Sequence, residues 1–69
     1  MVVNIRFHAK PERILTKVTK VEFFCDTKHH ALPATLDVHY DARSLDGGTV
    51  IPVMESFHVV DINYYWVTE

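Results

Sequence analysis

The stretch that decides the fold runs from residue 34 to residue 57. It reads Ala34-Thr35-Leu36-Asp37-Val38-His39-Tyr40-Asp41-Ala42-Arg43, then Ser44-Leu45-Asp46-Gly47-Gly48-Thr49, then Val50-Ile51-Pro52-Val53-Met54-Glu55-Ser56-Phe57. In the first part, Ala34, Leu36, Val38, Tyr40 and Ala42 alternate with Thr35, Asp37, His39, Asp41 and Arg43, the period of a strand with one apolar face. Both glycines of the chain stand in the middle part. Asp-Gly favours a tight type I′ hairpin turn, because both central residues of that turn need positive φ. With Asp46 and Gly47 central, Ala42 faces Ile51, Tyr40 faces Val53, Val38 faces Glu55 and Leu36 faces Phe57. The apolar rows of the two strands then coincide except at Glu55, so the turn chemistry and the alternation select one register.

Working outward, Val3, Ile5 and Phe7 alternate with Asn4, Arg6 and His8, and residues 2–9 read as a half-buried strand. Lys10-Pro11-Glu12 ends it, since proline cannot donate to a ladder. Residues 15–25 are rich in β-branched and aromatic side chains and read as a strand, with a bulge near Thr19-Lys20 to absorb a slip in apolar parity. Pro11 and the spacing of Ile14, Leu15 and Val18 allow a short helical turn at 11–14. Asp26-Thr27-Lys28-His29-His30 reads as a polar loop ending near Pro33. In the C-terminal run, Val60, Ile62, Tyr64 and Trp66 share a face opposite in parity to Ile51, Val53 and Phe57, so either a bulge or bend near Val59-Val60 switches faces or both faces are covered. The expected fold is an all-β single domain over residues 1–69: a small antiparallel meander of four to five strands, as a bent sheet or partly open barrel.

Composition narrows the class. The 69 residues are 48% hydrophobic and 12% aromatic, carry a net charge of −2 and include a single cysteine, Cys25. A domain of this size has little interior and commonly relies on disulfides, a structural metal or self-association. One cysteine permits no internal disulfide, and no Cys/His cluster has zinc-site spacing. Oligomerisation remains, and a homodimer is the expected state. With no disulfide framework, no signal-peptide pattern and no membrane-spanning run, a cytoplasmic location is expected. Residues 1–28 hold six basic groups against three acidic ones, and residues 29–69 hold one against six. In an antiparallel sheet such halves commonly neutralise one another across strands; the alternative is a surface with a basic and an acidic pole that steers a partner.

Several residues are candidates for function. Tyr64-Tyr65-Trp66 is the strongest interface signal: successive strand residues point to opposite faces, and tyrosine and tryptophan are enriched at binding hot spots, although a two-layer fold with core on both faces accounts for the run equally well. Glu55, a carboxylate interrupting an apolar row, implies a strand end, a bulge or an oligomer contact with lysine or arginine. Arg6, Lys17 and Lys20, with the aromatic residues, are the candidate nucleic-acid contacts of a small β-barrel, although the net negative charge argues against such a partner. Asp37, His39 and Asp41 stand at i, i+2 and i+4 on one strand face with His58 diagonal across the hairpin, a donor set a divalent metal accepts; a solvated polar face is the simpler and preferred explanation. Cys25 beside His29 and His30 lacks the surroundings of an activated thiol and reads as a packed side chain. No residue set has the arrangement of a catalytic centre, and no cofactor is implied. The expected function is that of a small non-enzymatic accessory protein acting by protein–protein binding, of the size class that phages and mobile elements use as inhibitors or modulators. The alternatives are a single-stranded nucleic-acid binder and a divalent-metal binder.

Overall fold

A computed structural model of the chain describes the backbone of residues 1–25 and 33–69, and the side chains of those residues other than Cys25, Pro33 and Ala34. The polar stretch with His29 and His30, and the side chain of Cys25, lie outside the described residues. Six strands follow one another: β1 (Val2–Phe7), β2 (Arg13–Leu15), β3 (Val18–Cys25), β4 (Pro33–Arg43), β5 (Val50–His58) and β6 (Ile62–Thr68), with a 3-10 turn at Val59–Asp61 before β6. They form two antiparallel three-stranded sheets, ordered β2-β1-β6 and β3-β4-β5, which do not close into a barrel. The fold is all-β, as the alternation predicts. It is not a simple meander, because the last strand returns to pair with the first.

The β4-β5 hairpin has the register read from the sequence: Ala42 opposite Ile51, Tyr40 opposite Val53, Val38 opposite Glu55 and Leu36 opposite Phe57. Its turn differs from the type I′ expectation. Ser44 N–H donates to Thr49 O at 2.9 Å and Gly47 N–H to Ser44 O at 2.9 Å, and Gly47 alone takes the left-handed conformation in this turn, at φ 77°. This is a four-residue loop built on a type I turn. Asp46 keeps a negative φ because its carboxylate closes the loop from the side, accepting from Gly48 N–H at 2.9 Å and from the Ser44 hydroxyl. Both loops span the same pair of positions, so the register survives the change of turn.

The segment read as one strand from 15 to 25 is two strands meeting at a corner. No helical turn forms at 11–14; Arg13–Leu15 is already strand, held by Val3, Asn4 and Ile5 of β1. Lys17, at φ 57°, is the one non-glycine residue with positive φ among those described, and it turns the chain from the first sheet into the second. The corner is stitched by Val18 N–H donating to Met1 O at 3.0 Å and Asp41 N–H donating to Lys17 O at 3.2 Å. The expected bulge after Val18 is present in the pairing with β4. At the other end the 3-10 turn at Val59–Asp61 returns the chain to the first sheet, the face switch predicted near Val59-Val60.

Between the sheets lies one apolar cluster. The first sheet contributes Val3, Ile5, Phe7 and Leu15; the second contributes Val18, Leu36, Val38 and Phe57. Val21, Tyr40 and Ile62 pack against it, part-buried. Ile62 is a correction: parity placed it with Tyr64 and Trp66, but β6 bulges at Asn63, so Ile62 pairs with Phe7 and faces inward. Beyond Tyr40 the hairpin outruns β3 and continues as a two-stranded ribbon to Leu45, whose side chain is fully exposed.

The corner yields a test. A left-handed lysine costs roughly 1 kcal/mol, which glycine avoids and a β-branched residue worsens. Lys17→Gly is expected to hold or raise stability by up to about 1 kcal/mol, and Lys17→Val to lower it by more than about 1 kcal/mol. Urea denaturation followed by circular dichroism measures both; a Lys17→Val protein as stable as the parent would contradict the corner.

Candidate interaction surface

The register of the first sheet sorts the Tyr64-Tyr65-Trp66 run onto two faces. Tyr65 lies opposite Ile5, and Val67 opposite Val3, so both point to the inner face. There the Tyr65 ring meets Phe23 of β3 edge-on, with centroids 5.9 Å apart. Tyr64 lies opposite Arg6, and Trp66 opposite Asn4, on the outer face. Their rings stack at 5.3 Å and 26°, and each side chain is well exposed, Tyr64 at 46% and Trp66 at 38%. Arg6 completes the group. Its Nη1 donates to the Tyr64 hydroxyl at 3.3 Å, its guanidinium lies 5.8 Å from the Tyr64 ring centroid, and its Nη2 is 3.6 Å from Glu12 Oε2. Across Asn4 from Trp66 stands Ile14, also exposed. The outer face of β2-β1-β6 thus presents isoleucine, tryptophan, tyrosine and arginine side by side, composed like the centre of a protein interface.

Arg6 therefore joins the aromatic pair, while the other two basic candidates do not. Lys17 occupies the corner. Lys20 is on the outer face of the second sheet, 3.3 Å from Glu22 Oε1. No continuous basic track links the three, because Arg6 and Lys20 lie on the outward faces of opposite layers.

Glu55 has its partners within the chain. Arg13, which projects inward from β2 opposite Ile5, grips its carboxylate with two bonds of 2.9 and 3.2 Å, and the Tyr40 hydroxyl donates a third at 2.5 Å. The Tyr40 hydrogen bond, with the Arg13 pair, holds the Glu55 carboxyl below the usual carboxylate range. The same hydrogen bond holds the Tyr40 hydroxyl above its ordinary value. Glu55 is thus a tie between layers, with its hydrogen-bond partners inside the chain. Tyr40 was findable from the hairpin register, being one step along the same inner row; Arg13 was not, because it faces Glu55 across layers rather than along a strand.

Next to this tie is a cleft of about 340 Å³ at the open end of the sandwich, lined in part by Phe7, Lys10, Arg13, Phe57, His58 and Asp61. Phe7 and Phe57 form its apolar wall, 5.9 Å apart, with Lys10 and Arg13 within 5.8 Å of their rings. Each cation is already matched: Lys10 with Asp61 at 3.4 Å and Arg13 with Glu55 at 2.9 Å. Both pairs join the basic first half to the acidic second half, though not across neighbouring strands of one sheet, while Arg6–Glu12 and Lys20–Glu22 pair within the first half.

The candidate metal residues share the outer face of the second sheet but not one coordination point. His39 Nε2 is 3.0 Å from Glu22 Oε1 on the neighbouring β3. Asp37 accepts from the Thr35 hydroxyl at 3.0 Å. His58 pairs with Thr35 in the register, and Asp41 with Pro52. Among the described residues no group of three His, Cys, Asp or Glu side chains is placed to hold a metal ion. No helix among them is long and apolar enough to cross a membrane. The chain matches no protein-family model, and no curated protein or solved structure is detectably similar to it.

The Glu55 tie carries a pH dependence. A carboxyl whose folded pKa is depressed contributes stability that is complete above its unfolded value and is lost as pH falls through the folded one. The protein is therefore expected to weaken below about pH 4.5, the ordinary glutamate value. Glu55→Gln should lose part of that acid limb and cost about 1 kcal/mol at neutral pH, where Arg13 loses its charged acceptor. Tyr40, with its folded pKa raised, adds a second limb: stability falls as pH rises past 10, its ordinary value. Thermal melts of parent, Glu55→Gln and Tyr40→Phe across pH check this. An unchanged acid limb in Glu55→Gln would refute the assignment.

Proposed function

We propose that this chain is a non-enzymatic binding protein that engages a partner protein through the outer face of β2-β1-β6, with Trp66 and Tyr64 as anchors. The carrying observation is the Tyr64–Trp66 stack, exposed on the outer sheet face and braced by Arg6. Stacking and the arginine bond hold the two rings in place before a partner arrives, which lowers the ordering cost of binding. The partner surface that fits is an apolar or aromatic patch beside a carboxylate able to compete with Glu12 for Arg6. The protein then acts as an accessory factor or inhibitor, by occupying a surface rather than by transforming a substrate. The compensated cations of the Phe7–Phe57 cleft agree with this, since both positive charges are committed to internal ties.

A second reading draws on the same group. An arginine beside stacked rings on a sheet also suits the bases of a single-stranded nucleic acid. The two readings separate by salt, because nucleic-acid affinity falls steeply with ionic strength.

Trp66 is the only tryptophan, so its fluorescence reports on the platform directly. Tagged protein is expected to capture a stoichiometric protein partner from its source cells, and that purified partner to shift the Trp66 emission at moderate salt. The Tyr64→Ala/Trp66→Ala protein should keep its strand circular dichroism and lose the capture, with affinity falling at least about a hundredfold, as hot-spot truncation does. Equal capture by both proteins would refute the reading. An emission change produced only by single-stranded oligonucleotide, and abolished by salt, would transfer the site to nucleic acid.

A further inference from the structure

We infer that β6 is a self-pairing edge, and that two copies of this chain join antiparallel along it to make one continuous sheet of order β2-β1-β6-β6-β1-β2. An edge strand exposes a row of unpaired backbone donors and acceptors, and proteins blunt such edges with charge, proline, bulges or shortness. Among the described residues four strands are edges, and three carry such devices. β2 is three residues long and includes Arg13. β3 carries Lys20 and Glu22 and a bulge after Val18. β5 carries Pro52, and its inward row holds Glu55.

β6 is the exception. Ile62-Asn63-Tyr64-Tyr65-Trp66-Val67-Thr68 has no charged residue, no proline and no glycine. The bulge at Asn63 affects only its start and leaves Tyr64–Thr68 in unbroken pairing with β1. Among the described residues nothing pairs with its other side. The strand is also built of the residue types that pair best across strands.

The occupant that fits is a second copy, for three reasons. Antiparallel pairing of a strand with itself is two-fold symmetric and closes, so it gives a dimer rather than a filament. The strand carries no charge to repel its own image. With Tyr65 on the two-fold axis, Tyr64 of each copy lies opposite Trp66 of the other, and the outer-face stack within one chain continues into a row of four rings. Tyr65 then meets its own copy on the inner face, beside Phe23. The pairing supplies the self-association that a core of eight buried side chains among the described residues calls for. It uses the backbone edge and leaves the outer surfaces of Tyr64 and Trp66 facing solvent, so it stands or falls separately from partner binding.

Light scattering on purified protein is expected to give twice the 8.0 kDa chain mass. Hydrogen exchange is expected to show protected amides on the outward edge of β6 that lose protection on dilution. Tyr65→Lys and Tyr65→Glu each place like charges opposite one another on the axis and should weaken self-association about tenfold or more, while an equimolar mixture re-forms the dimer. A parent protein of single-chain mass overturns the inference. So do variants that stay dimeric, a mixture that does not re-associate, or unprotected outward β6 amides in a dimeric parent. Where the charged variants fail to fold, the exchange pattern of the parent decides. The capture test with Tyr64 and Trp66 can fail while these results hold, and the reverse.

Discussion

The molecule depends on one backbone constraint, the left-handed turn at Lys17. A strand reaching Leu15 in the first sheet must continue at Val18 in the second, and a β-conformation at both intervening residues would carry it straight on. One residue of positive φ redirects it, at a cost of roughly 1 kcal/mol for a side chain other than glycine. Met1 and Asp41 repay that cost by pairing with the backbone on either side of the turn. With the corner in place, Leu15 and Val18 both face inward from different layers, and the space between the layers becomes the core. Without it, β3-β4-β5 would be a flat three-stranded sheet with one apolar face uncovered.

Folding over also explains where the charges end up. Arg13 is inward-facing on β2, and Glu55 inward-facing on β5; on separate sheets each would sit among apolar neighbours without a partner. Stacking the layers makes them meet, and the Tyr40 hydroxyl fills the third acceptor position on the carboxylate. A carboxylate inside an apolar row is unfavourable in one sheet and acceptable in two, so the tie rewards the correct stacking of the layers and penalises a slipped one.

What was legible in the sequence follows from the range of the interaction that decides it. The β4-β5 register was readable because alternation and turn residues act within a few positions of each other, and it held even though the loop has four residues rather than two. The bulge after Val18 and the switch at Val59–Asp61 were readable as breaks in parity. The corner was not, because lysine carries no mark of a left-handed conformation and β-branched neighbours on both sides read as one strand. The return of β6 to β1 was not readable either, since pairing of the first and last strands leaves no local trace. At the candidate surface, the division of Tyr64 and Trp66 from Tyr65 was legible from period two alone. The union of Arg6 with Tyr64 was not, because it requires that return. The inward turn of Ile62 was hidden by a one-residue bulge at Asn63 that no glycine or proline announces.

The last step concerns why so much aromatic surface gathers at one strand. A core of eight side chains among the described residues leaves few positions where large rings can be wholly buried, and Phe7 and Phe57 already take two of them. Rings on β6 therefore lie at the margin: Tyr65 edge-on to Phe23, Tyr64 and Trp66 stacked on each other with Arg6 beside Tyr64, and all three partly exposed. Exposed rings on a strand cost solubility, and the remaining edges of this fold carry charge, proline or brevity where such exposure would be hazardous. β6 carries none of these within its length. A strand in which apolar area, open backbone and lack of charge coincide is disfavoured unless something covers it. Both surfaces assigned here to binding, the edge and the outer face, follow from that coincidence on a single element.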